Sequence, residues 1–531
     1  MTEPSTKPEE ASAWEPLSYP VFRALWIASV ASNIGTWLHD VGAGWLMTSL
    51  APSPLMVALV QAATMLPPFL FALPAGALAD IVDRRRFLIG TQLFMMAAAV
   101  GLGVLTLLGL TGPWTLLALT FCLGLGTALS APALQAITPE LVPPTSLRPA
   151  IALSSVGFNV SRAIGPALGG FLVAFLGPAI TFILNSLSFV GLVVVFYRWR
   201  REETHSRLAS EHFLAAMRTG VRFVRHSPAF KRVLLRAGTY FFFASSTWAL
   251  LPLLTRQELG GDATTYGILL TCVGAGAVTS AVLLPGVYQR VSSDLIVAGG
   301  SLMWAGSIFA VGTLRNLPWV MLALFLGGAA WHAVFSALNT AAQMAVPSWV
   351  RARAMAIYLV VFFGAMTAGS TLWGAIATRI GMPGSLALAA AGLAVVAVAT
   401  SRVHIARHEH LDLSPSMHWP TPVLPDGAEP DRGPVQVTLE YRIAPDDVPL
   451  FLELMGEMER SRRRDGALSW ALYQDSEDPD IYLETFVAES WTEHLRQHER
   501  FTVADREIQD RTYALHQGDR PRVRHMINAY T

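Results

Sequence analysis

The stretch "GALADIVDRRR" (residues 76–86) places two acidic and three basic side chains within seven positions, between two long apolar segments. Apolar runs of about 20 residues are long enough to cross a bilayer as helices, whereas charged side chains are costly inside it. The charged stretch therefore predicts a short loop between two membrane-spanning helices. Because short loops rich in Lys and Arg stay on the cytoplasmic side, this loop is expected to face the cytoplasm.

The composition is that of a membrane protein with a soluble appendage. Hydrophobic residues make up 53% of the 531 residues and charged ones 14%, whereas soluble proteins are about a quarter charged. Residues 434–531 hold 19 acidic and 12 basic side chains, which leaves 19 acidic and 26 basic for residues 1–433. A basic apolar body followed by an acidic polar tail predicts a membrane domain and then a soluble one.

Twelve apolar stretches are long enough to be membrane spans. A basic connection, residues 198–232, divides them six and six. The shorter loops after even-numbered spans carry basic side chains, whereas those after odd-numbered spans are nearly neutral. Both termini are therefore expected in the cytoplasm, and the body is predicted to be all-α with 12 transmembrane helices in two six-helix halves. The predicted spans are 20–49, 53–80, 87–110, 113–136, 148–176, 178–198, 233–256, 264–288, 294–313, 317–342, 350–379 and 382–402.

The predicted domains follow from these spans. The first eighteen residues lack the apolar core of a cleavable signal peptide, so insertion is expected to rely on the first span. The boundaries are a cytoplasmic tail 1–18, an N-terminal bundle 19–198, a cytoplasmic connection 199–232, a C-terminal bundle 233–402, a linker 403–433 and a soluble domain 434–531.

An internal repeat supports the division into halves. Shifted by 204 positions, "ALQAITPELVP" (133–143) falls on "ALNTAAQMAVP" (337–347), and Gly165 and Gly170 fall on Gly369 and Gly374. Two similar halves are typical of a transporter whose substrate site lies between them.

The spacing of Gly76, Asp80 and Arg84 resembles the loop signature of the major facilitator superfamily. The resemblance implies a conformational latch that closes the cytoplasmic side, in which an acid pairs with basic groups and a neighbouring helix end. Ile81 and Asp83 depart from the pattern, where a base and a glycine are usual. The alternative is that these charges only set the orientation of the helices in the membrane. That would explain the arginines but not Asp80. The full latch prediction comprises Gly76, Asp80, Arg84 and Arg85, with Arg290 and Asp294 in the second half, where the signs are reversed.

A second resemblance lies in span five, where "RAIGPALGG" (162–170) is similar to a glycine-proline signature of exporters in this superfamily. The helix-crossing residues would be Gly165, Pro166, Gly169 and Gly170. In layout the body resembles the secretion permeases that include the enterobactin exporter, which implies alternating access driven by a proton gradient and export of small molecules. The arginine often found in span four of proton-coupled members is absent from "LLALTFCLGLG" (116–126).

Ionisable groups inside membrane spans are candidates for function because burial there is costly. We predict that Asp40 and Arg162 take part in proton coupling or substrate contact, although a purely structural role is the alternative. The candidate cavity residues are Asn33, Gln135, Asn159, His332, Asn339 and Trp331. Taken singly, the polar ones would serve as interhelical contacts and the tryptophan as a membrane anchor. The apolar character of the spans favours a hydrophobic or amphipathic cargo.

The tail predicts the order strand, helix (446–463), strand, strand, helix (491–515), strand, which is typical of a ferredoxin-like sandwich. Residues 465–501 resemble the antibiotic-biosynthesis-monooxygenase-like family, whose dimeric barrel implies a homodimer through this domain. His494 and His498 share a helical face, but without a third ligand they do not predict a metal site. A dimerising or sensing module is favoured over an enzyme.

Together these features predict a secondary transporter that exports small hydrophobic or amphipathic molecules, such as a drug, siderophore or secondary metabolite, by proton-coupled antiport. It would lie in the bacterial inner membrane with the tail in the cytoplasm. Its partners would be a small-molecule substrate, protons and the lipid bilayer, with no nucleic acid, cofactor, metal or catalytic residue. The alternatives are a lipid or lysolipid flippase and a membrane-tethered cofactor-independent monooxygenase.

Overall fold

The structure is a computed structural model that describes residues 14–199, 213–288, 290–402, 404, 412–419 and 433–528. Side chains at 73, 76, 77, 79–81, 213–217, 219 and 288 lie outside this description. The chain divides into two compact units. The larger comprises Met1–Arg207, Arg236–Leu338 and Leu359–Val403, and the smaller comprises Leu208–Leu235, Asn339–Tyr358 and His404–Thr531.

Long apolar helices make up the body. Several begin at a proline, whose missing amide hydrogen costs nothing at the first helical position. The helices before the soluble tail are α1 (Pro20–Leu50), α2 (Pro54–Ile81), α3 (Arg84–Leu107), α4 (Pro113–Leu141), α5 (Leu147–Leu176), α6 (Pro178–Arg198), α7 (Phe213–His226), α8 (Pro228–Gln257), α9 (Ala263–Tyr288), α10 (Ser293–Thr313), α11 (Leu317–Met344) and α12 (Arg351–Ser401).

Among the described residues, ten helices are long and apolar enough to cross a membrane, namely α2 to α6 and α8 to α12. This number indicates a multi-pass membrane protein. The 31-residue α1 carries Arg23, Asn33, His39 and Asp40, which lower its hydropathy. The 51 residues of α12 are interrupted at Gly381, whose φ of 80° is rarely adopted by residues with a side chain. The count of twelve spans stays a prediction.

The first half packs as one bundle, in which α1 lies against α5 and α6, α2 against α4, and α3 against α4 and α6. Two of the helix pairs that join the halves make especially close contacts. The first is α5 with α9, and the second is α2 with α12, where a Cβ on Gly374 would lie 2.5 Å from the Ala58 Cβ. Because the 204-residue shift carries α5 onto the first part of α12, and α2 onto α9, the two pairs occupy corresponding positions.

The tail forms a four-stranded antiparallel sheet in the order β2-β3-β1-β4. The strands are β1 (Val435–Arg442), β2 (Ser469–Gln474), β3 (Ile481–Ala488) and β4 (Arg522–Ile527), and the helices are α13 (Val448–Asp465), α14 (Trp491–Arg500) and α15 (Val503–Ala514). The single helix predicted over 491–515 is wrong. The first helix ends at Arg500, and a second begins at Val503. The Thr502 hydroxyl and the Asp505 carboxylate form a reciprocal capping box at the start of α15.

The smaller unit joins this sheet to two segments that lie between apolar helices in the sequence. The carboxylate of Glu493 lies 3.4 Å from the guanidinium of Arg222 in α7. Arg500 stacks on Trp349, with 4.7 Å from its guanidinium carbon to the ring centroid, and Phe223 contacts the edge of the same ring. The tail therefore packs against α7 and the segment between α11 and α12.

Candidate functional site

A cavity of about 160 Å³ lies in the larger unit, mostly within the first half. Helices α1, α2, α3, α4 and α6 contribute to its wall, and Phe363 of α12 contributes from the second half. Its lining residues are Thr36, His39, Asp40, Thr64, Met65, Pro68, Met95, Thr120, Leu123, Gly124, Thr127, Asn185, Phe189 and Phe363. The wall is thus apolar with a few polar groups, as in most small-molecule sites.

Two polar atoms in this wall have unmet hydrogen-bonding capacity. His39 is 3% exposed, and its Nε2 lies 3.4 Å from the Thr120 hydroxyl while its Nδ1 has no partner in the described structure. The Oδ1 atom of the buried Asn185 also has none. Buried polar groups normally form hydrogen bonds. These two atoms could therefore bind a polar group of a cargo molecule.

Asp40 follows His39 on α1 and lines the same cavity. Among the described residues its carboxylate has no hydrogen-bond or ion-pair partner, and it interacts electrostatically with Tyr266 of α9. An acidic group without a partner inside a membrane helix costs stability, so it is a candidate for proton exchange.

Arg162 lies on α5, where the described chain gives it no ion-pair partner. It is close enough to His332 of α11 to interact electrostatically, and the His332 Nδ1 lies 3.4 Å from the Ser280 hydroxyl of α9. The structure thus brings Arg162, His332 and Ser280 together from both halves. It shows no ion pair between Arg162 and Asp40 in the described residues.

The other candidate cavity residues do not converge on one point. Asn159 donates to the Ser155 carbonyl of its own helix (2.9 Å), Gln135 is exposed and Asn33 half-buried. Asn339 belongs to the smaller unit and accepts a hydrogen bond from Gln343 (2.8 Å). Trp331 is 6% exposed inside an aromatic cluster with Tyr240, Phe241, Trp248 and Trp304.

The latch residues of the first half lie where α3 meets its neighbours. Arg84 pairs with Glu140 in the last turn of α4 (2.8 Å). Arg85 donates to the carbonyls of Phe196 (2.8 Å) and Tyr197 (2.5 Å) at the end of α6. Asp83, the departure from the family pattern, caps α3 by accepting a hydrogen bond from the Arg86 amide (2.7 Å). Gly76 and Asp80 lie outside the residues whose side chains are described.

In the second half, Asp294 at the start of α10 pairs with Arg236 of α8 (2.5 Å). The Arg236 side chain is only 1% exposed, so this ion pair is largely withdrawn from solvent. Arg290 is exposed in the turn before α10.

The glycines of span five lie at two close helix crossings. A Cβ on Gly165 would lie 2.6 Å from the Trp37 Cβ, and one on Gly169 would lie 3.0 Å from the Val41 Cβ, both on α1. On the other side, a Cβ on Gly170 would lie 2.6 Å from the Ala263 carbonyl oxygen of α9. Pro166 is buried between them, and its carbonyl oxygen would lie 2.7 Å from a Cβ on Gly267.

Sequence reasoning did not single out Arg256, in the last turn of α8. It stacks on Trp45 of α1 (5.7 Å) and donates to the hydroxyls of Thr48 (3.0 Å) and Ser49. Trp45 also stacks on Tyr266 of α9 (6.2 Å). The ends of α1 and α8 are thereby joined to the start of α9. The sequence signal was available, since Arg256 ends predicted span seven, on the side where the predicted topology places few basic residues.

Inside the tail, a buried ion pair joins α13 to the sheet. Arg462 is 6% exposed and its Nε donates to the fully buried Glu484 (3.2 Å). Glu484 also accepts hydrogen bonds from Tyr441 and Trp470, each at 3.0 Å. The carboxylate therefore has three donors, as a buried charge requires.

Three histidines cluster near Arg462, two on α14 and one on β4. The His494 ring lies 4.9 Å from both His498 and His525. Burial, and then the neighbouring His498 and His525, lower the pKa of His494 to about 3, and burial lowers that of His498 to about 4. Among the described residues, no group of three or more His, Cys, Asp or Glu side chains is arranged to hold a metal ion.

We expect the tail to lose stability as the pH falls below 6.5. The folded pKa of His494 is below its ordinary value, so the unfolded chain binds a proton first. The contribution of His494 to the free energy of unfolding should therefore fall by ~1.4 kcal/mol per pH unit from about 6.5 towards about 3, and His498 should add a similar dependence down to about 4. Hydrogen exchange of α14, corrected for intrinsic rates, measures this, and His494→Gln should make the dependence shallower. An unchanged dependence in that variant would assign it to other groups.

Comparisons with known proteins agree with this architecture. A family model described as "Transmembrane secretion effector" matches residues 11–531, which include the tail. An uncharacterized MFS-type transporter of Bacillus subtilis, YfiS, is 26% identical over 387 residues, 70% of this chain and 88% of that protein. Macrolide efflux protein A of Streptococcus pyogenes is 23% identical over 293 residues, 54% and 72% of the two chains. In both, the aligned residues amount to most of the relative's own length.

Among solved structures, a bacterial homologue of the human lysosomal transporter Spinster, in an inward-facing and occupied conformation, has a TM-score of 0.59 at 14% identity. The likeness covers 74% of this chain and 97% of that one. It shows a common fold over about three quarters of the chain.

Proposed function

This chain belongs to the transmembrane secretion effector family of major facilitator transporters, and from that premise we propose that it exports small hydrophobic or amphipathic molecules by proton-coupled antiport. The body would contain twelve spans, counting α1 and both parts of α12, and would work by alternating access. It would lie in the bacterial inner membrane with both termini in the cytoplasm. The curated relatives include a protein named for macrolide efflux, which supports export of bulky organic molecules.

The observation that carries the proposal is Asp40 in the wall of the 160 Å³ cavity. A carboxylate without a described partner, next to the unsatisfied Nδ1 of His39, combines a proton acceptor with a polar binding group in an apolar pocket. Proton release and cargo binding could then compete for one place, which is how an antiporter couples two flows. The cavity is small, so a larger cargo would require the halves to separate.

The charged loop supports the proposed latch. Arg84 and Arg85 tie the start of α3 to the ends of α4 and α6, and we propose that Asp80 joins them when the cytoplasmic side closes. The Arg236–Asp294 pair would act at the corresponding position of the second half. Such ion pairs suit a switch because their attraction and their hydration nearly balance.

For the tail we propose a ferredoxin-like domain, which the strand order β2-β3-β1-β4 and the antiparallel pairing support. The outer strands expose Tyr473, Val523 and Met526, each at least 45% exposed, so a second tail could pair there to form a homodimer. We assign the tail a dimerising or sensing role in the cytoplasm and no enzymatic one.

Transport in inverted membrane vesicles tests the proposal. An imposed pH gradient, acidic inside, should drive uptake of hydrophobic drugs from a compound panel, and a protonophore should abolish it. Drug uptake that does not depend on the pH gradient would exclude proton-coupled antiport. Transfer of labelled lysolipid between leaflets without drug uptake would favour a flippase.

We expect Arg162→Ala to abolish transport while the protein still reaches the membrane. The substitution removes a cation of the first half that interacts electrostatically with His332 of the second half, and such charges in membrane helices usually serve the transport path. Drug uptake in vesicles, normalised to the amount of protein, is the measurement. Lys231→Ala, which changes an exposed basic side chain near the start of α8 that is absent from the cavity wall described above, is the control. Wild-type uptake by Arg162→Ala would remove Arg162 from the mechanism.

A further inference from the structure

Trp419, in the described segment 412–419, lies against the tail as a ligand would. Its ring is 4.2 Å from the Phe501 ring, with 31° between the planes, and 4.7 Å from the His498 ring. Its indole N–H donates to the Gln509 Oε1 atom (3.1 Å). Both the face of the indole and its one polar atom therefore have partners.

The tail builds the surroundings of this indole largely without segment 412–419. The Arg462 guanidinium carbon lies 4.8 Å from the Phe486 ring, 5.6 Å from the Phe501 ring and 5.2 Å from the Trp419 ring. Because Glu484 holds Arg462 in place (3.2 Å), the cation is positioned before any ring binds. We call Arg462, Phe486, His498 and Phe501 the aromatic cage. A cation over an aromatic face attracts electron-rich rings.

Besides Trp419, the segment is held to the tail by backbone hydrogen bonds and by His418, whose Nε2 atom lies 3.0 Å from the same Gln509 Oε1 atom. Three backbone hydrogen bonds attach it, from the Ser416 amide to the Phe501 carbonyl (2.9 Å), from the Val503 amide to Ser414 (3.0 Å) and from the Ala504 amide to Asp412 (3.0 Å). Met417 has a φ of 45°, in the left-handed region that disfavours residues with a side chain, and that side chain is 71% exposed. Burial of the Met417 side chain therefore does not compensate for this unfavourable backbone conformation. The effect of the conformation is to direct Trp419 into the aromatic cage.

We propose that the aromatic cage is a binding site for small planar aromatic molecules that carry a hydrogen-bond donor, and that Trp419 is its internal occupant. A ligand of this class would stack on Phe501, face the Arg462 cation and donate to Gln509 in place of the indole. Binding would release segment 412–419 from the tail. The proposal does not depend on the direction or coupling of transport.

Indole binding to the full-length protein in detergent tests the proposal, with calorimetry as the readout. Trp419→Ala should bind indole ~10- to 100-fold more tightly than the wild type, because the internal occupant no longer competes. Trp419→Phe, which keeps a ring but loses the bond to Gln509, should be intermediate. Trp419→Ala with Phe501→Leu should lose most of this gain. Detergent micelles also take up indole. Because all variants are measured in the same detergent, the ratios of their affinities are unaffected by this uptake.

Hydrogen exchange separates this site from simple core packing. In the wild type, saturating indole should accelerate exchange of the Ser416, Val503 and Ala504 amides, because their bonds hold the segment in place. In Trp419→Ala, indole should leave these amides unchanged. Binding to Trp419→Ala without acceleration in the wild type would overturn the proposal, because Trp419 would then be a fixed part of the core. Equal affinity in the two proteins would also overturn it.

Discussion

Asp40→Asn is expected to abolish accumulation of drug driven by a pH gradient while exchange of drug for drug continues. The amide has the size of the carboxyl group but cannot release a proton, so the binding surface of the cavity stays and the coupling is lost. Removing an unpartnered charge from a membrane helix should leave the thermal midpoint unchanged or higher. Gradient-driven uptake and counterflow in the same vesicle preparation are the two measurements.

Asp262→Asn is the matched control for this change. Asp262 is an acid in the loop before α9, where it accepts hydrogen bonds from the Thr265 amide (2.8 Å) and hydroxyl (2.9 Å). Asparagine caps a helix as well as aspartate does, so this variant should transport normally. Gradient-driven uptake by Asp40→Asn at the wild-type rate would show that protons, if coupled, bind elsewhere. Loss of both uptake and counterflow would make Asp40 a binding group instead.

Much of the helical layout was predictable because length, apolarity and proline act locally. Span five was predicted at 148–176, and α5 runs from Leu147 to Leu176. The predicted break between 379 and 382 coincides with the non-helical Gly381. Lipid requires every backbone bond to be made within the helix, so an apolar run has few alternatives.

The elements that sequence reasoning missed depend on contacts distant in the chain. The connection of residues 199–232 was predicted only as a basic cytoplasmic segment, yet it contains α7, whose Arg222 faces Glu493 of the tail. In the tail, Thr502-x-x-Asp505 carried a local capping signal that would have divided the predicted helix.

The candidate site was predictable in its charges but not in its grouping. Asp40 and Arg162 were selected because charge is rare in membrane spans. Their neighbours, Tyr266 for one and His332 for the other, lie on helices far apart in the sequence. Trp331 shows the limit most clearly, since composition cannot distinguish a tryptophan in a cavity wall from one inside an aromatic cluster.

Gly170→Ala should reduce both thermal stability and transport, because the two halves meet there almost backbone to backbone. The added Cβ would lie 2.6 Å from the Ala263 carbonyl oxygen and 2.8 Å from the Gly267 Cα, distances at which α5 or α9 must move. Overpacking of this kind costs ~1–3 kcal/mol. Since α5 and α9 belong to different halves, the displacement would also disfavour the closed arrangement of this crossing. Thermal unfolding in detergent and vesicle uptake measure the two effects.

Gly101→Ala distinguishes this crossing from a general effect of changing glycine in a membrane helix. A Cβ on Gly101, in α3, meets nothing within 4 Å. Alanine should therefore be neutral there or stabilise the helix by up to ~1 kcal/mol, and transport should stay normal. Gly267→Ala approaches the same contact from α9, where its Cβ would lie 2.7 Å from the Pro166 carbonyl oxygen, so it should reproduce the Gly170→Ala defect. If Gly170→Ala and Gly101→Ala behave alike, the close approach of α5 and α9 is not needed for either the fold or the transport cycle.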